Sequence, residues 1–254
     1  QRTPGPPVNT TQKNNGFRVL YCNCQSVIKK LEELKVYVFD IKPDIICLNE
    51  TWTNDDHTNG YLSLPGYEVL GRYDRTDTEN GRGGGLLVYR KVGTNVSENI
   101  CDNYTKFNQC CSVNIPLNSG QCFELILVYR PNKLYDGSSI SSNNDNLNAV
   151  LDTAAKPCVL VGDFNYSGID WNHMHSDSVG RSFLNKSQDL FFHQHVDFPT
   201  HRTGTMPDLV LSSDAYLVRS VEALGRLGGS DHSMLLIDVG TNISANTTYE
   251  EIPD

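Results

Sequence analysis

The chain has 254 residues, a formal net charge of −9 and 20% charged side chains, the composition of an ordinary globular domain rather than a disordered one. One domain of this length buries a sizeable core, and no stretch approaches the roughly 20 apolar residues that a membrane-spanning helix needs, so no membrane association is expected. The acidic balance excludes a protein that coats nucleic acid nonspecifically, though not an enzyme that meets it locally through a few cations.

Residues 1–16 are polar and rich in Pro, Asn and Thr, and are expected to form a flexible leader. Phe17–Tyr21 is a short β-prone run. Ser26 is the expected N-cap of a helix carrying Val27, Leu31, Leu34 and Val38 at helical spacing, closed by Pro43. Ile45–Leu48 is a continuous apolar run typical of a strand covered on both faces, and it delivers Glu50 at its end. Further strands are expected at Leu86–Tyr89, Cys111–Ile115 and Phe123–Tyr129, followed by a helix over Ser141–Ala154. Cys158–Val161 is another buried strand and runs into Gly162-Asp163-Phe164-Asn165. A helix over Gly180–Phe192 and strands at Leu209–Leu211, Tyr216–Ala223 and Met234–Val239 complete a domain over 17–240, and the polar residues 241–254 read as a linker. Short strands with few helices predict an α/β sandwich of four layers, with two mostly antiparallel sheets packed face to face and helices flanking them.

The eight cysteines include no C-x-x-C pair, so zinc is not expected. Cys47, Cys122 and Cys158 lie in apolar runs, where free thiols behave as small hydrophobes; reduced thiols and an intracellular compartment are the expectation. The Gly83-Gly84-Gly85 run lacks the Lys-Ser/Thr that follows in a phosphate-binding loop and reads as a bend or bulge. His173-x-His175 and His193-x-His195 are not expected to form metal sites.

The informative polar residues stand at strand ends: Asn23, Glu50, Tyr129, Asp163, Asn165, Asp208, Asp231 and His232. Rigid scaffolds present chemistry at such places. Carboxylate and amide oxygens suit a hard cation such as Mg²⁺, which neutralises phosphate charge. A base to activate water and donors for the phosphate oxygens complete the requirements for phosphoester hydrolysis, and a His–Asp pair can orient and charge an imidazole beside that phosphate. Any one of these residues alone is equally well a turn or a solvated strand end. Their joint order carries the argument: Asn23-x-Gln25-Ser26, Leu48-Asn49-Glu50-Thr51-Trp52, Gly83–Val88, Val128-Tyr129-Arg130-Pro131, Gly162-Asp163-Phe164-Asn165, Pro207-Asp208-Leu209 and Ser230-Asp231-His232.

This set resembles the endonuclease/exonuclease/phosphatase superfamily, which includes deoxyribonuclease I and apurinic endonucleases. The Leu-x-Glu-Thr-Trp form at 48–52, and Phe198-Pro199-Thr200-His201-Arg202 followed by Pro207-Asp208-Leu209, look most like the apurinic-type endonuclease domain of non-LTR retrotransposons. In those elements Arg usually follows Thr directly, so His201 looks like an insertion or variant. The resemblance implies a deoxyribonuclease I-like fold over residues 17–240. It implies a Mg²⁺ ion (Mn²⁺ as the substitute) held by Glu50 with help from Asn23 and Asp231. It further implies that Asp163 and Asn165 position or deprotonate water, that His232 paired with Asp208 stabilises the phosphate, and that Tyr129 donates to it. Ser230, Thr200, Arg130 and Arg202 are expected as substrate contacts.

The implied partners are double-stranded DNA, a downstream reverse transcriptase domain in the same polyprotein and, indirectly, the element RNA. Synthesis in the cytoplasm and action in the nucleus follow from that context. A hairpin between Thr200 and Asp208 is expected to enter a DNA groove and read its shape and flexibility. The competing expectations are a cellular apurinic endonuclease or other phosphodiesterase of the same fold, and a decayed DNA-binding module. The filled polar set argues against decay.

Overall fold

The computed structural model describes residues 16–74, 83–99, 107, 109–132 and 140–241. The leader and linker expected at the termini fall outside the described residues apart from Gly16 and Thr241, as do Cys101, Arg75, Arg82 and Lys133.

In chain order the elements are β1 (Gly16–Asn23), α1 (Leu31–Ile41), β2 (Ile45–Asn49), β3 (Tyr67–Tyr73), β4 (Leu86–Lys91), β5 (Ser97–Asn99), β6 (Cys110–Pro116), β7 (Cys122–Tyr129), α2 (Ile140–Thr153) and β8 (Cys158–Asp163). There follow β9 (Ile169–Asp170), β10 (His175–Ser176), α3 (Arg181–Asp189), β11 (His193–Gln194), β12 (Asp208–Ser212), β13 (Val218–Arg226) and β14 (Ser233–Gly240). They form two six-stranded sheets, ordered β13-β14-β1-β2-β4-β3 and β11-β12-β8-β7-β6-β5, and a small β9–β10 pair. Among the described strands only β1–β2 and β7–β8 pair in parallel, each spanned by a helix, and the remaining pairs are antiparallel.

Strand periodicity explains the layering. Along β1, Val19 and Tyr21 face the second sheet while Leu20 and Cys22 face α1. Along β8, Val159 and Val161 join the core between the sheets, whereas Cys158 and Leu160 pack under α2 and α3 with Leu147, Leu151 and Phe183. Strands covered on both faces must be apolar throughout, which is why β2 and β8 read as unbroken hydrophobic runs.

Several expectations are corrected. Ser26 is no N-cap: it has φ +77, its N–H donates to the Glu50 carbonyl oxygen, and α1 starts only at Leu31 after a 3-10 turn over Ile28–Lys30. Cys122 is exposed, because it opens β7 beside a turn. The helix expected to run to Phe192 stops at Asp189, and the strand expected from Tyr216 starts at Val218 and continues to Arg226. Strand β3, half-buried and interrupted by a register shift between Val69 and Gly71, carries no alternation strong enough to read from sequence. The described cysteines are free.

Gly162 decides how close β8 approaches β7. A Cβ there would run into the Val128 carbonyl oxygen, a backbone atom that cannot step aside. Gly162→Ala is therefore expected to cost about 3 kcal/mol, at the upper end of overpacking effects, which lowers Tm by roughly 6–12 °C in a chain of this size. An unchanged melting curve refutes this.

Candidate active site

The sandwich brings its chemical residues to one edge. Asn23 ends β1 beside Asn49 at the end of β2, Tyr129 ends β7 beside Asp163 at the end of β8, and Asp208 opens β12 opposite Asp163. His232 lies just ahead of β14 and forms an isolated bridge with His201.

Asp208 is fully buried and held on both oxygens. The Tyr21 hydroxyl donates to Oδ1 at 2.7 Å, and His232 Nδ1 lies 2.8 Å from Oδ2. This bond turns the other ring nitrogen of His232 away from the carboxylate. Burial works against a charged imidazole, but the bond to Asp208 and the charges of Asp208, Asp163 and Glu50 outweigh it and raise the His232 pKa to about 9. Asp163 is 1% exposed. Its burial, the Asp208 charge and the Glu50 charge push its pKa up to about 8 against the pull of His232 and of the Asn23 amide, which donates to Oδ2 at 2.9 Å. The charges of Asp163 and His232 are therefore set by one another rather than separately.

Asn165 has φ +53, and its backbone N–H donates to Asp163 Oδ1 at 3.0 Å, closing a tight Asx turn at the end of β8. Its side-chain NH₂ donates to the Arg130 carbonyl, and its Oδ1 accepts from Asn132.

Glu50 sits across the site with φ +50. Tyr129 donates its hydroxyl to Oε1 at 2.8 Å and the Trp52 indole N–H donates to Oε2 at 3.2 Å. The Gly83-Gly84-Gly85 run serves as a bend here. All three have positive φ, the carbonyls of Gly84 and Gly85 accept from the N–H groups of Trp52 and Thr51, and a Cβ on Gly85 would meet Thr51 Oγ1.

Among the described residues, the groups that together could hold a metal are Asp163, Asp208 and His232, whose ligand atoms lie within 4.8 Å of one another. From sequence these three were read as catalytic. The donor chemistry around them, with the carboxylate of Glu50 and the amide oxygen of Asn23, fits a hard divalent cation, which relieves the repulsion between buried carboxylates. Asp231, expected near the metal, is instead paired with Arg202 Nη1 at 3.1 Å.

Three expected substrate contacts lie beneath the surface. Arg130 is 2% exposed, donates to Asn144 Oδ1 and to the carbonyls of Phe164 and Asn165, and stacks 4.1 Å above the Tyr166 ring. Ser230 donates to the Asn23 carbonyl and accepts from the His232 N–H, and Thr200 accepts from the Asp208 N–H. These side chains fix the loops that hold the reactive groups, because strand ends leave polar groups that need partners once buried. Arg130→Met is accordingly expected to lower kcat about tenfold with little change in KM for DNA. A raised KM at constant kcat would restore Arg130 as a phosphate contact.

The hairpin expected after Thr200 is present. The N–H groups of Thr200 and His201 both donate to the Thr205 carbonyl, and Gly204 (φ +84) turns the chain. Arg202 is exposed at its tip. His201 packs edge to face on His232 with centroids 4.9 Å apart. A groove of about 660 Å³ runs beside this hairpin, walled by Ile169, Trp171, Phe198 and Met206. Sequence reasoning missed Tyr21, the partner of Asp208. A hydroxyl at an otherwise apolar inward strand position is its only signal.

Residues 123–236 match the family described as endonuclease–reverse transcriptase. No curated protein sequence matches the chain. Among solved structures, the endonuclease domain of TRAS1, a telomere-specific non-LTR retrotransposon, is similar with TM-score 0.64 and 17% identity, covering 90% of this chain and 100% of that one. An apurinic endonuclease from Leishmania major has TM-score 0.66 and 15% identity over 93% and 92% of the two chains. A 3′ phosphatase from Neisseria bound to a product DNA hairpin has TM-score 0.65 and 18% identity over 88% and 99%. At these identities the likeness to solved structures is one of fold.

Proposed function

We propose that this chain is a divalent-metal-dependent endodeoxyribonuclease of the endonuclease/exonuclease/phosphatase superfamily that nicks one strand of duplex DNA, a reading supported by the family match and the shared fold. We place the chain in a non-LTR retrotransposon, where the nick would prime reverse transcription by a downstream domain on nuclear DNA; the match to an endonuclease–reverse transcriptase family supports the pairing of the two activities.

The observation that carries the reading is the buried Tyr21–Asp208–His232 chain set beside Asp163. Asp163 receives the proton of the attacking water, aided by the Asn165 turn. His232, protonated and fixed by Asp208, stabilises the negative charge that develops on the phosphate oxygens. Water attacks phosphorus and the bond to the 3′ oxygen breaks; the leaving oxygen takes a proton from solvent, giving a 3′-hydroxyl and a 5′-phosphate. A Mg²⁺ or Mn²⁺ ion, held by Glu50 and Asn23 next to the Asp163 carboxylate, would supply charge neutralisation for the phosphate. The groove beside the Thr200–Thr205 hairpin supports placing the flanking nucleotide there, with Arg202 near the backbone.

A supercoiled plasmid incubated with the protein and Mg²⁺ is expected to become open circular, with no reaction in EDTA, and the nicks are expected to prime a DNA polymerase without prior treatment. Supercoiled DNA that stays intact while an abasic oligonucleotide is cut would favour the apurinic-endonuclease reading, to which the Leishmania major structure lends weight. Neither substrate cut, with DNA still bound, is the outcome expected of a decayed module.

A further inference from the structure

Glu50 is set in an uncommon piece of backbone. Glu50 and Trp52 both have positive φ, +50 and +55, in a turn where neither is glycine. Such conformations each cost on the order of 1–3 kcal/mol and persist only where the surroundings enforce them. Here they are enforced from two sides: the Glu50 and Thr51 carbonyls accept from the N–H groups of Ser26 and Val27, while the Thr51 and Trp52 N–H groups donate to Gly85 and Gly84. The consequence of the second positive φ is that the Trp52 side chain folds back, and its indole N–H reaches Glu50 Oε2, two residues earlier, at 3.2 Å. With the Tyr129 hydroxyl on Oε1, each carboxylate oxygen carries one donor. Each oxygen then keeps a further lone pair, and the carboxylate plane is fixed.

We propose that Trp52 is a positioning residue for the metal-binding carboxylate: its indole N–H and the Tyr129 hydroxyl clamp Glu50, and this clamp strengthens divalent-cation binding. The inference rests on the reading of Glu50 as a metal ligand. Ordering the carboxylate before the ion arrives removes the cost of ordering it on binding, so the clamp acts on affinity. Bond for bond, glutamine carries its amide nitrogen as far from Cβ as tryptophan carries its indole nitrogen. Trp52→Gln therefore keeps a donor that Trp52→Phe loses.

Two measurements on the folded protein test this without relying on cleavage. Titration calorimetry with Mn²⁺ is expected to show binding weakened roughly tenfold or more in Trp52→Phe, as the loss of one bond to a charged acceptor predicts, and largely restored in Trp52→Gln. Tb³⁺, a hard oxygen-seeking ion, is expected to emit on indole excitation in the unaltered chain and in Trp171→Phe, and to lose that emission in Trp52→Phe; these two are the chain's only tryptophans. Unchanged Mn²⁺ affinity in Trp52→Phe, alongside weakened binding in Glu50→Gln, overturns the inference and leaves the metal reading standing. Equal weakening in the Phe and Gln variants overturns it too, since the ring rather than the donor would then matter, as does emission that persists in Trp52→Phe. Unchanged affinity in Glu50→Gln removes the metal reading, and this inference with it.

Discussion

Asp163→Asn is expected to abolish cleavage, by about a thousandfold or more, while making the metal-free protein more stable. The activity loss follows from removing the group that takes the proton from water, for which the usual contribution is of order 10²–10⁴. The stability gain follows from the same burial that makes the residue useful. Asp163 lies out of water between the charges of Asp208 and Glu50, and its pKa of about 8 in the folded chain exceeds the roughly 3.9 of an unfolded aspartate. The folded state therefore holds a proton that the unfolded state releases, so stability declines as pH rises between those two values. Asparagine is the same shape, carries no charge, and abolishes that decline. Melting temperature followed from pH 5 to 9 in EDTA checks it: the unaltered chain should lose stability with rising pH more steeply than Asp163→Asn. If the variant melts lower at pH 8, the account of Asp163 as a strained charge is wrong.

His232→Ala should also inactivate, by about a hundred- to a thousandfold as for the loss of one donor to a developing oxyanion, but with the opposite effect on stability. It strips the fully buried Asp208 of its partner and leaves the carboxylate with the Tyr21 hydroxyl. Breaking a buried pair in this way typically costs about 3–5 kcal/mol, or roughly 10 °C in Tm for a chain of this length. The pair also sets a pH limit. His232 has a folded pKa of about 9, above the roughly 6.5 of a free imidazole. Its stabilising contribution is full below the lower value and fades as pH rises through the higher one. Cleavage should fall on that alkaline limb as the imidazole loses its charge. A pH–rate profile with Mg²⁺ present that stays flat to pH 10 would remove His232 as the cation at the phosphate. Two inactive variants whose melting temperatures move in opposite directions separate a catalytic charge strained by burial from one satisfied by a buried partner.

Much of this site is legible in the chain alone, and the reason is local. A buried strand such as Ile45–Leu48 or Cys158–Val161 is marked by its unbroken apolar run, so Glu50 and Asp163 declare themselves as the carboxylates that follow such runs. The two-sheet architecture is legible for the same reason, since strands apolar on both faces require layers on both sides. Side-chain depth is not local. Arg130, Ser230 and Thr200 stand in motifs beside reactive residues and read as substrate contacts, yet each is turned inward to satisfy a backbone group. Ser26 looks like a helix cap until the Glu50 carbonyl claims its N–H.

Sequence by itself therefore determined the fold class, the strand ends and the identity of the polar set, because these follow from alternation and from order along the chain. Only tertiary structure decided that Tyr21 from a core strand holds Asp208, that Trp52 folds back onto Glu50, and that Asp163, Asp208 and His232 converge to within 4.8 Å of one another. Those facts depend on which strands lie side by side and on how closely Gly162 lets β8 approach β7. Contacts between residues far apart in sequence leave no trace in local pattern.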